Sequence, residues 1–165
     1  MLSVYPDNKS SLISMSILPP ATHHEQIGIC TARLKSGDAI PISAHRTVSD
    51  FDNIAVSLLA MNTHPAHTDY AYAKQSQFGK PLVVSPFLLS SLVAFVTNEL
   101  RDVTITGYEI HDLAFGKPIH PGDTITAEAM VEEAGAAQLV CAVTGRKADG
   151  EKFARFRLLL DINAV

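Results

Sequence analysis

One short segment of the 165-residue chain concentrates side chains that can handle protons: residues 62–69, Asn-Thr-His-Pro-Ala-His-Thr-Asp. Two imidazoles, an amide and a carboxylate stand within eight residues, and an imidazole exchanges protons near neutral pH. Asn, Thr and Asp also form turns and helix caps in solvated loops. On composition alone, therefore, a catalytic and a purely structural interpretation both stay open.

Helical periodicity flanks this segment on both sides. Residues 50–60 place apolar side chains on one face at helical spacing, and Ser49 stands where an N-cap is needed. On the other side, a short helix is predicted over residues 70–77, with Asp69 as its N-cap. The proton-handling segment is therefore expected to connect two helices, where its side chains can point back beneath a helical overhang.

A longer helix is predicted over residues 85–98, with Ser85 as its N-cap and Pro86 in its first turn. Its apolar side chains go almost all the way round the helical wheel. A helix that is apolar on nearly every side is buried. In a chain this short, another element must wrap it.

The second half of the chain alternates apolar and polar residues, which is the period of half-buried strands. Asp149-Gly150 is a strong hairpin signal between the last two alternating stretches. No strong helix separates these strands, so the sheet is expected to be mostly antiparallel. One buried helix cradled by an antiparallel sheet is the α+β arrangement called the hotdog fold. Extended stretches are predicted over residues 27–34, 40–48, 104–111, 125–131, 138–147 and 151–162.

Length and composition indicate one ordinary globular domain. Hydrophobic residues make up 47% of the chain and charged residues 18%, and the formal net charge is −4 at pH 7. A non-specific nucleic-acid binder needs a basic face, so that class of protein is not expected. Residues 1–26 show no sustained periodicity and are interpreted as an irregular N-terminal arm, with residues 27–165 forming the single domain.

Cysteine and histidine usage argues against disulfide and metal frameworks. Cys30 and Cys141 lie in predicted strands without a CxxC pattern, which favours buried free thiols in a reducing compartment. His23 and His24 have no third ligand at helical or hairpin spacing, so no metal site is predicted. Signal-peptide features and apolar stretches of membrane-spanning length are not found in the sequence. A cytoplasmic protein that does not enter the membrane is expected.

Residues 48–92 resemble the MaoC-like family of hotdog acyl-CoA hydratases and dehydratases. That family carries a D-x-N-P-x-H-x-D pattern, followed by A-x-x-x-x-F-G-x-P and the buried helix. A second stretch, residues 115–123, resembles the family's F-x-x-P-V-x-P-G-D strand–turn element. The matching residues of the first stretch are Asn62, His64, Pro65, His67, Asp69, Ala73, Phe78, Gly79 and Pro81.

The resemblance implies an enzyme that adds water across a 2-enoyl-CoA thioester or removes it, with Asn62 and His67 as its catalytic residues. In the family an Asp and a His hold and activate the water, and the Asp position falls on Asn62 here. An Asn amide can position water but cannot take a proton. Proton transfer is therefore predicted to rest on His67, as base toward water and acid toward the α-carbon. Hydratase activity should then fall on the acid side as His67 becomes protonated.

Two further residues are candidates for substrate binding. Ser85 stands where the family often has a small Gly whose backbone N–H polarises the thioester carbonyl, and free N–H groups at a helix start suit a developing enolate oxygen. Because Pro86 has no N–H, the donor would be Ser85 or a residue just beyond it. His64 replaces the usual family Asn, and both a loop-fixing role and a substrate contact stay open.

The resemblance also implies an acyl-CoA substrate, no metal or redox cofactor, and at least a homodimer, because the pantetheine arm usually runs between protomers in hotdog proteins. Some proteins near the mesaconyl-CoA hydratases have a similar N-T-H-P-x-H-x-D context, which makes that branch a candidate. Candidate phosphate contacts are Lys74, Lys80, Arg101 and Lys117.

Two alternative functions stay open. A hotdog thioesterase typically needs a carboxylate on the buried helix, and residues 85–98 contain none. A non-catalytic acyl-CoA-binding subunit would account for the loss of the family's Asp at the position of Asn62.

Overall fold

The computed structural model describes residues 29–164, so the arm predicted at residues 1–26 lies outside the described residues. Within this part of the chain, a short 3-10 helix, Thr31–Arg33, comes before four α-helices and six strands. The helices are α1 (Asp50–Leu59), α2 (Pro65–Thr68), α3 (Tyr70–Gln75) and α4 (Ser85–Thr97). The strands are β1 (Ala39–Ile40), β2 (Arg46–Thr47), β3 (Val103–Phe115), β4 (Thr124–Ala134), β5 (Gln138–Lys147) and β6 (Lys152–Ala164).

The six strands form one antiparallel sheet in the order β1-β4-β5-β6-β3, with β2 also paired to β4. The predicted hairpin joins β5 to β6, and Gly150 turns it with a φ of 88°, a value that favours glycine. Strand β3 lies at one end of the sheet and pairs with β6 alone among the described strands. The α+β hotdog arrangement expected from the sequence is confirmed.

Helix α4 supplies the centre of the core. Its side chains Phe87, Leu88, Leu92, Phe95 and Val96 are buried, and they belong to the same hydrophobic cluster as the inward-facing residues of β4, β5 and β6. This confirms the buried helix that the apolar wheel predicts. None of the helices in the described residues is long and apolar enough to cross a bilayer.

The sheet packs tightly against α4 at Gly145 on β5. A Cβ atom added there would lie 2.7 Å from Cζ of Phe153 and 2.9 Å from Cδ1 of Leu92. Real Cβ atoms essentially never come so close to other heavy atoms. Glycine at this position therefore lets the helix and the sheet share one tightly packed core.

The strand predicted over residues 27–34 is wrong within the described residues. Ile29 makes one isolated bridge, and the chain then forms the 3-10 helix. Asp102 accounts for the change, because its carboxylate accepts the Thr31 N–H at 2.7 Å and the Cys30 thiol at 2.9 Å. These two bonds give the backbone an alternative to a strand ladder.

Both cysteines are free thiols, but they differ in burial. Cys141 lies fully inside the sheet, and burial together with the nearby Glu132 raises the pKa of its thiol to about 12. Cys30 is half-buried and donates to Asp102, and this bond helps to hold the pKa of the Asp102 carboxyl far below its usual range. The prediction of buried free thiols is therefore confirmed at Cys141, whereas the thiol of Cys30 is free but only partly buried.

Candidate active site

The turn after α1 directs Asn62 back toward the body of the protein. Ser49 starts α1 with a reciprocal capping box, accepting from the N–H of Asp52 while the Asp52 carboxylate accepts from the N–H of Ser49. After the helix, Met61 adopts a φ of 55°, and the Asn62 N–H donates to the Ser57 carbonyl at 2.8 Å. This reversal leaves the Asn62 side chain half-buried instead of projecting into solvent.

Two side chains fix the short helices of the proton-handling segment. His64 is the N-cap of α2, because its Nδ1 accepts the Ala66 N–H at 3.1 Å. Asp69 is the N-cap of α3 and accepts the N–H groups of Ala71 and Tyr72 at 2.8 and 3.0 Å. The N-cap predicted for Asp69 is confirmed, and His64 is engaged in fixing the loop.

The imidazole of His67 is held in a defined tautomer. Its Nδ1 lies 2.9 Å from the Leu82 carbonyl oxygen, and because a carbonyl can only accept, Nδ1 carries the ring hydrogen. In the neutral ring Nε2 is then an unprotonated acceptor. Nδ2 of Asn62 lies 3.5 Å from this Nε2, at the long limit of a hydrogen bond. The basic nitrogen is thus left available beside a polar amide.

His67 opens onto a cleft of about 240 Å³ between the helices and the end of β3. Ser85 forms part of the same wall, so the structure brings two of the four predicted site residues to one cavity. Asn62 and His64 are not among the residues that line this cavity, although Asn62 lies beside His67. The other lining residues are Phe78, Leu82, Val83, Leu88, Phe115, Gly116, Lys117, Pro118 and Ile119.

The start of α4 differs in one respect from the sequence prediction. Val84, and not Ser85, is the N-cap, and Ser85 is the first helical residue, with an exposed side chain. The serine hydroxyl therefore does not cap the helix as predicted, because the chain enters helical geometry one residue earlier. The N–H of Phe87 donates to the Val84 carbonyl at 3.1 Å, whereas the N–H of Ser85 has no acceptor within the described residues. Since Pro86 has no N–H, Ser85 is the free backbone donor of this first turn.

One buried residue near the site is not indicated by any sequence motif. Asn53 on α1 is 1% exposed, and its amide contacts three backbone groups around the cleft. A polar residue at one position of an amphipathic helix gives no signal that separates it from a solvated residue.

Residues 35–152 match the model of the family described as MaoC like domain. This match covers well over half of the chain. The chain belongs to the MaoC-like domain family.

The chain is also similar to a known protein sequence and to solved structures. The MaoC-like chain is 33% identical over 93 residues to Protein MaoC of Klebsiella aerogenes, a match that covers 56% of this chain and only 27% of that protein. The monoamine oxidase regulatory protein of Archaeoglobus fulgidus is 25% identical, with a TM-score of 0.69 over 84% of this chain and 97% of that one. The unliganded R-hydratase PhaJ1 of Pseudomonas aeruginosa is 17% identical, with the same TM-score over 82% of this chain and 86% of that one.

The four cations that are candidates for phosphate contact in this MaoC-like chain are exposed at separate places on the surface. Among the four candidates, Lys117 lines the cleft and lies 3.8 Å from Glu151, while Lys74 and Lys80 are exposed on α3 and in the loop after it. A larger hollow of about 410 Å³ shares Phe115 and Gly116 with the cleft. Its lining includes Lys152 and Arg155, which the sequence did not single out because they read as the solvent face of a strand.

No metal centre is found in residues 29–164 of this MaoC-like chain. No group of three or more His, Cys, Asp or Glu side chains is placed to hold an ion in that part of the chain. His23 and His24, for which no metal site is predicted, lie outside the described residues. That the chemistry needs no metal or redox cofactor stays a prediction.

Proposed function

We propose that this MaoC-like chain is a hydro-lyase that adds water to a 2-enoyl-CoA thioester or removes it from a 3-hydroxyacyl-CoA. One observation carries the proposal: Nε2 of His67, the acceptor of the neutral ring, lies 3.5 Å from the Asn62 amide, and His67 lines a cleft together with Ser85. A base, a group to orient water and a donor for an oxyanion are the three parts that this reaction needs.

In the proposed reaction, a water molecule lies beside the Asn62 amide and Nε2 of His67 and forms a hydrogen bond with each of them. The water oxygen bonds to C3 of the enoyl group while Nε2 takes its proton. The electron pair of the double bond moves through C2 onto the thioester oxygen, giving an enolate that the Ser85 N–H stabilises. The imidazolium of His67 then returns the proton to C2, and the neutral ring is restored. Dehydration follows the same steps in reverse.

Support for this reaction comes from family membership together with the geometry of the cleft. R-hydratases are among the structural neighbours of the chain, although at 17% and 19% identity these likenesses support the hotdog fold alone. The chain spans only 27% of the length of Protein MaoC, so the activity of that whole protein is not part of this proposal. The substrate class therefore rests on the family and on His67, Asn62 and Ser85 acting together.

The larger hollow offers a site for the anionic end of coenzyme A. It shares Phe115 and Gly116 with the cleft, and its other lining residues include the exposed cations Lys152 and Arg155. Lys117 stands in the wall of the cleft itself. Cations that line a hollow next to the cleft suit a phosphate-bearing thioester carrier, and the acyl group would occupy the apolar part of the cleft beside His67.

The test of the proposed function is the loss of absorbance at the enoyl-thioester band with crotonyl-CoA, a longer trans-2-enoyl-CoA and mesaconyl-CoA. A thiol-release assay runs alongside. Loss of the enoyl band without free thiol supports the hydratase, and the preferred acyl group identifies the branch. Thiol release would instead favour the thioesterase, and tight CoA binding without turnover would favour the binding subunit.

The thioesterase alternative has less support from the buried helix. Helix α4, Ser85–Thr97, carries no Asp or Glu, and Glu99 comes only after its end. A carboxylate that attacks or activates water on this helix is therefore missing, whereas His67 is in place for water addition.

Replacing Asn62 by aspartate is expected to change kcat by no more than about threefold, because the proposed proton transfer rests on His67 and not on residue 62. The measurement is the steady-state hydration rate of Asn62→Asp on the best enoyl-CoA of the panel. Asn163→Asp, which adds the same charge at an exposed position on β6, is the matched control. A rise of tenfold or more, about 1.4 kcal/mol in the barrier, would instead indicate a decayed site that regains its missing base.

We also propose that the protein works as a homodimer paired through β3. This edge strand has thirteen residues, and Tyr108, Leu113 and Phe115 on it are exposed. A long exposed edge is normally paired or covered, since its free N–H and C=O groups recruit other strands. Partly buried residues of α4, among them Leu89 and Val93, lie beside it and would be covered as well.

Tyr108→Lys is expected to shift the protein from dimer to monomer, because a charge on the edge strand opposes strand pairing. Sedimentation velocity at several protein concentrations measures the effect. Met130→Lys places the same charge on an exposed apolar position of β4 and should leave the dimer intact. A wild-type protein that stays monomeric at tens of micromolar contradicts the proposed pairing.

A further inference from the structure

Asn53 uses its whole side-chain amide on backbone groups that border the cleft. Its Nδ2 donates to the carbonyl of His67 at 2.7 Å and to the carbonyl of Leu82 at 3.0 Å. Its Oδ1 accepts the N–H of Val84 at 2.9 Å. One buried side chain on α1 therefore connects α2, the segment between α3 and α4, and the N-cap residue of α4.

The Leu82 carbonyl has two donors, and this joins Asn53 to the imidazole. The same oxygen accepts from Nδ2 of Asn53 and from Nδ1 of His67. A carbonyl oxygen has two lone pairs, so the two bonds can form together and fix its direction. The amide thus holds the backbone of His67 on one side and the partner of its ring on the other.

The orientation of α1 indicates that Asn53 is buried because of its hydrogen bonds and not because of apolar packing. The helix has an apolar face, but Phe51 and Leu59 on it are 78% and 84% exposed, while Asn53 and Ser57 point inward. Burying an amide is unfavourable unless it is fully hydrogen-bonded. The two fully buried residues of α1, Asn53 and Ser57, are polar, whereas Val56 is only partly buried against the core. A purely hydrophobic packing of α1 would not produce this arrangement.

We propose that Asn53 is the positioning residue of the active site. It keeps His67 in the Nδ1–H tautomer, with Nε2 free for the water, and it anchors Val84 so that the adjacent Ser85 N–H faces the same cleft. The inference about catalysis rests on the proposed hydratase function. The inference about the tautomer rests on the hydrogen bonds alone.

The test compares Asn53→Ser with Ser57→Ala. Ser57 lies one turn further along α1, is fully buried, and its hydroxyl has no hydrogen-bond partner in the described residues, so it controls for loss of a buried polar group on the same face. The tautomer of His67 is followed by the ring ¹⁵N chemical shifts of protein labelled at histidine. Hydration kinetics are measured on the same samples.

We expect a single Nδ1–H tautomer in the unaltered protein and in Ser57→Ala, and a mixture of tautomers in Asn53→Ser. The kcat of Asn53→Ser should fall by about 100-fold, because small displacements of a catalytic group have effects of that order. Its KM should stay within about threefold, since no substrate contact is removed. A folded Asn53→Ser protein that keeps the single tautomer overturns the proposal, whatever its activity.

A second measurement needs no variant. In the unaltered protein the two side-chain amide hydrogens of Asn53 are buried and hydrogen-bonded. They should therefore exchange with solvent far more slowly than those of Asn163, which is exposed. Exchange at the rate of a free amide would overturn the proposal even if Asn53→Ser does not fold. If the unaltered protein hydrates no enoyl thioester, the proposed function fails while the tautomer and exchange results still decide the role of Asn53.

Discussion

Replacing His67 by alanine is expected to lower kcat for hydration by about 10²–10⁴-fold, the usual contribution of a general acid–base catalyst. The reason is that Nε2 of His67 both accepts the proton of water and returns it to C2 in the proposed reaction. The fold should persist, because the Leu82 carbonyl keeps its bond from Asn53 when the ring is removed. Enoyl-CoA absorbance measures turnover, and circular dichroism checks that the variant is folded.

His45→Ala is the matched control for this substitution. His45 is exposed and is not among the residues that line the cleft, so its removal should leave kcat within about twofold. A folded His67→Ala protein with the turnover of the unaltered protein would show that the proton-transfer role belongs to another group. It would leave the family membership untouched.

Replacing Gly145 by alanine is expected to lower the free energy of unfolding by about 1–3 kcal/mol, the usual effect of overfilling a packed core. The new methyl group would meet the Phe153 ring and the end of Leu92 at distances below 3 Å. Both neighbours are fully buried, so relief requires the helix and the sheet to move apart. Urea denaturation, read as a shift in midpoint at unchanged slope, measures the effect.

Gly116→Ala is the control for this stability prediction. A Cβ atom at Gly116 would meet no described atom within 4 Å, and the backbone there does not have a positive φ. Its free energy of unfolding should change by less than about 0.5 kcal/mol, as at other unconstrained surface positions. Equal unfolding midpoints for Gly145→Ala and the unaltered protein would contradict this prediction. They would mean that the core accommodates the added methyl group with no loss of free energy of unfolding.

The sequence predicts the parts of the fold that depend on local patterns. The apolar wheel of α4, the alternation in β4 to β6 and the Asp149-Gly150 turn all act over a few residues, and all three predictions are confirmed. The same holds for Asp69, whose capping role depends on its nearest neighbours along the chain. Local physical chemistry is therefore sufficient for the hotdog architecture of the described residues.

Features that depend on contacts between residues far apart in the sequence are not predicted from local patterns. The strand predicted over residues 27–34 is displaced by the bonds to Asp102, about seventy residues away, which no period in the sequence indicates. The three bonds of Asn53 span 14, 29 and 31 residues, so its role emerges only when α1, α2 and the start of α4 are assembled. His67 is found from its residue type and its motif, but the tautomer that makes Nε2 the base depends on the Leu82 carbonyl.

The position of α4 along the chain has a consequence for synthesis. This nearly all-apolar helix leaves the ribosome before β4, β5 and β6, the strands that cover it. Roughly 65 further residues must be added after Thr97, which takes roughly 3–13 s at 5–20 residues per second. During that interval the helix has no sheet to lie against, so the nascent chain is a natural client for a chaperone that binds apolar segments. Depleting such a chaperone should lower the soluble yield of the protein more than it lowers the stability of protein already folded.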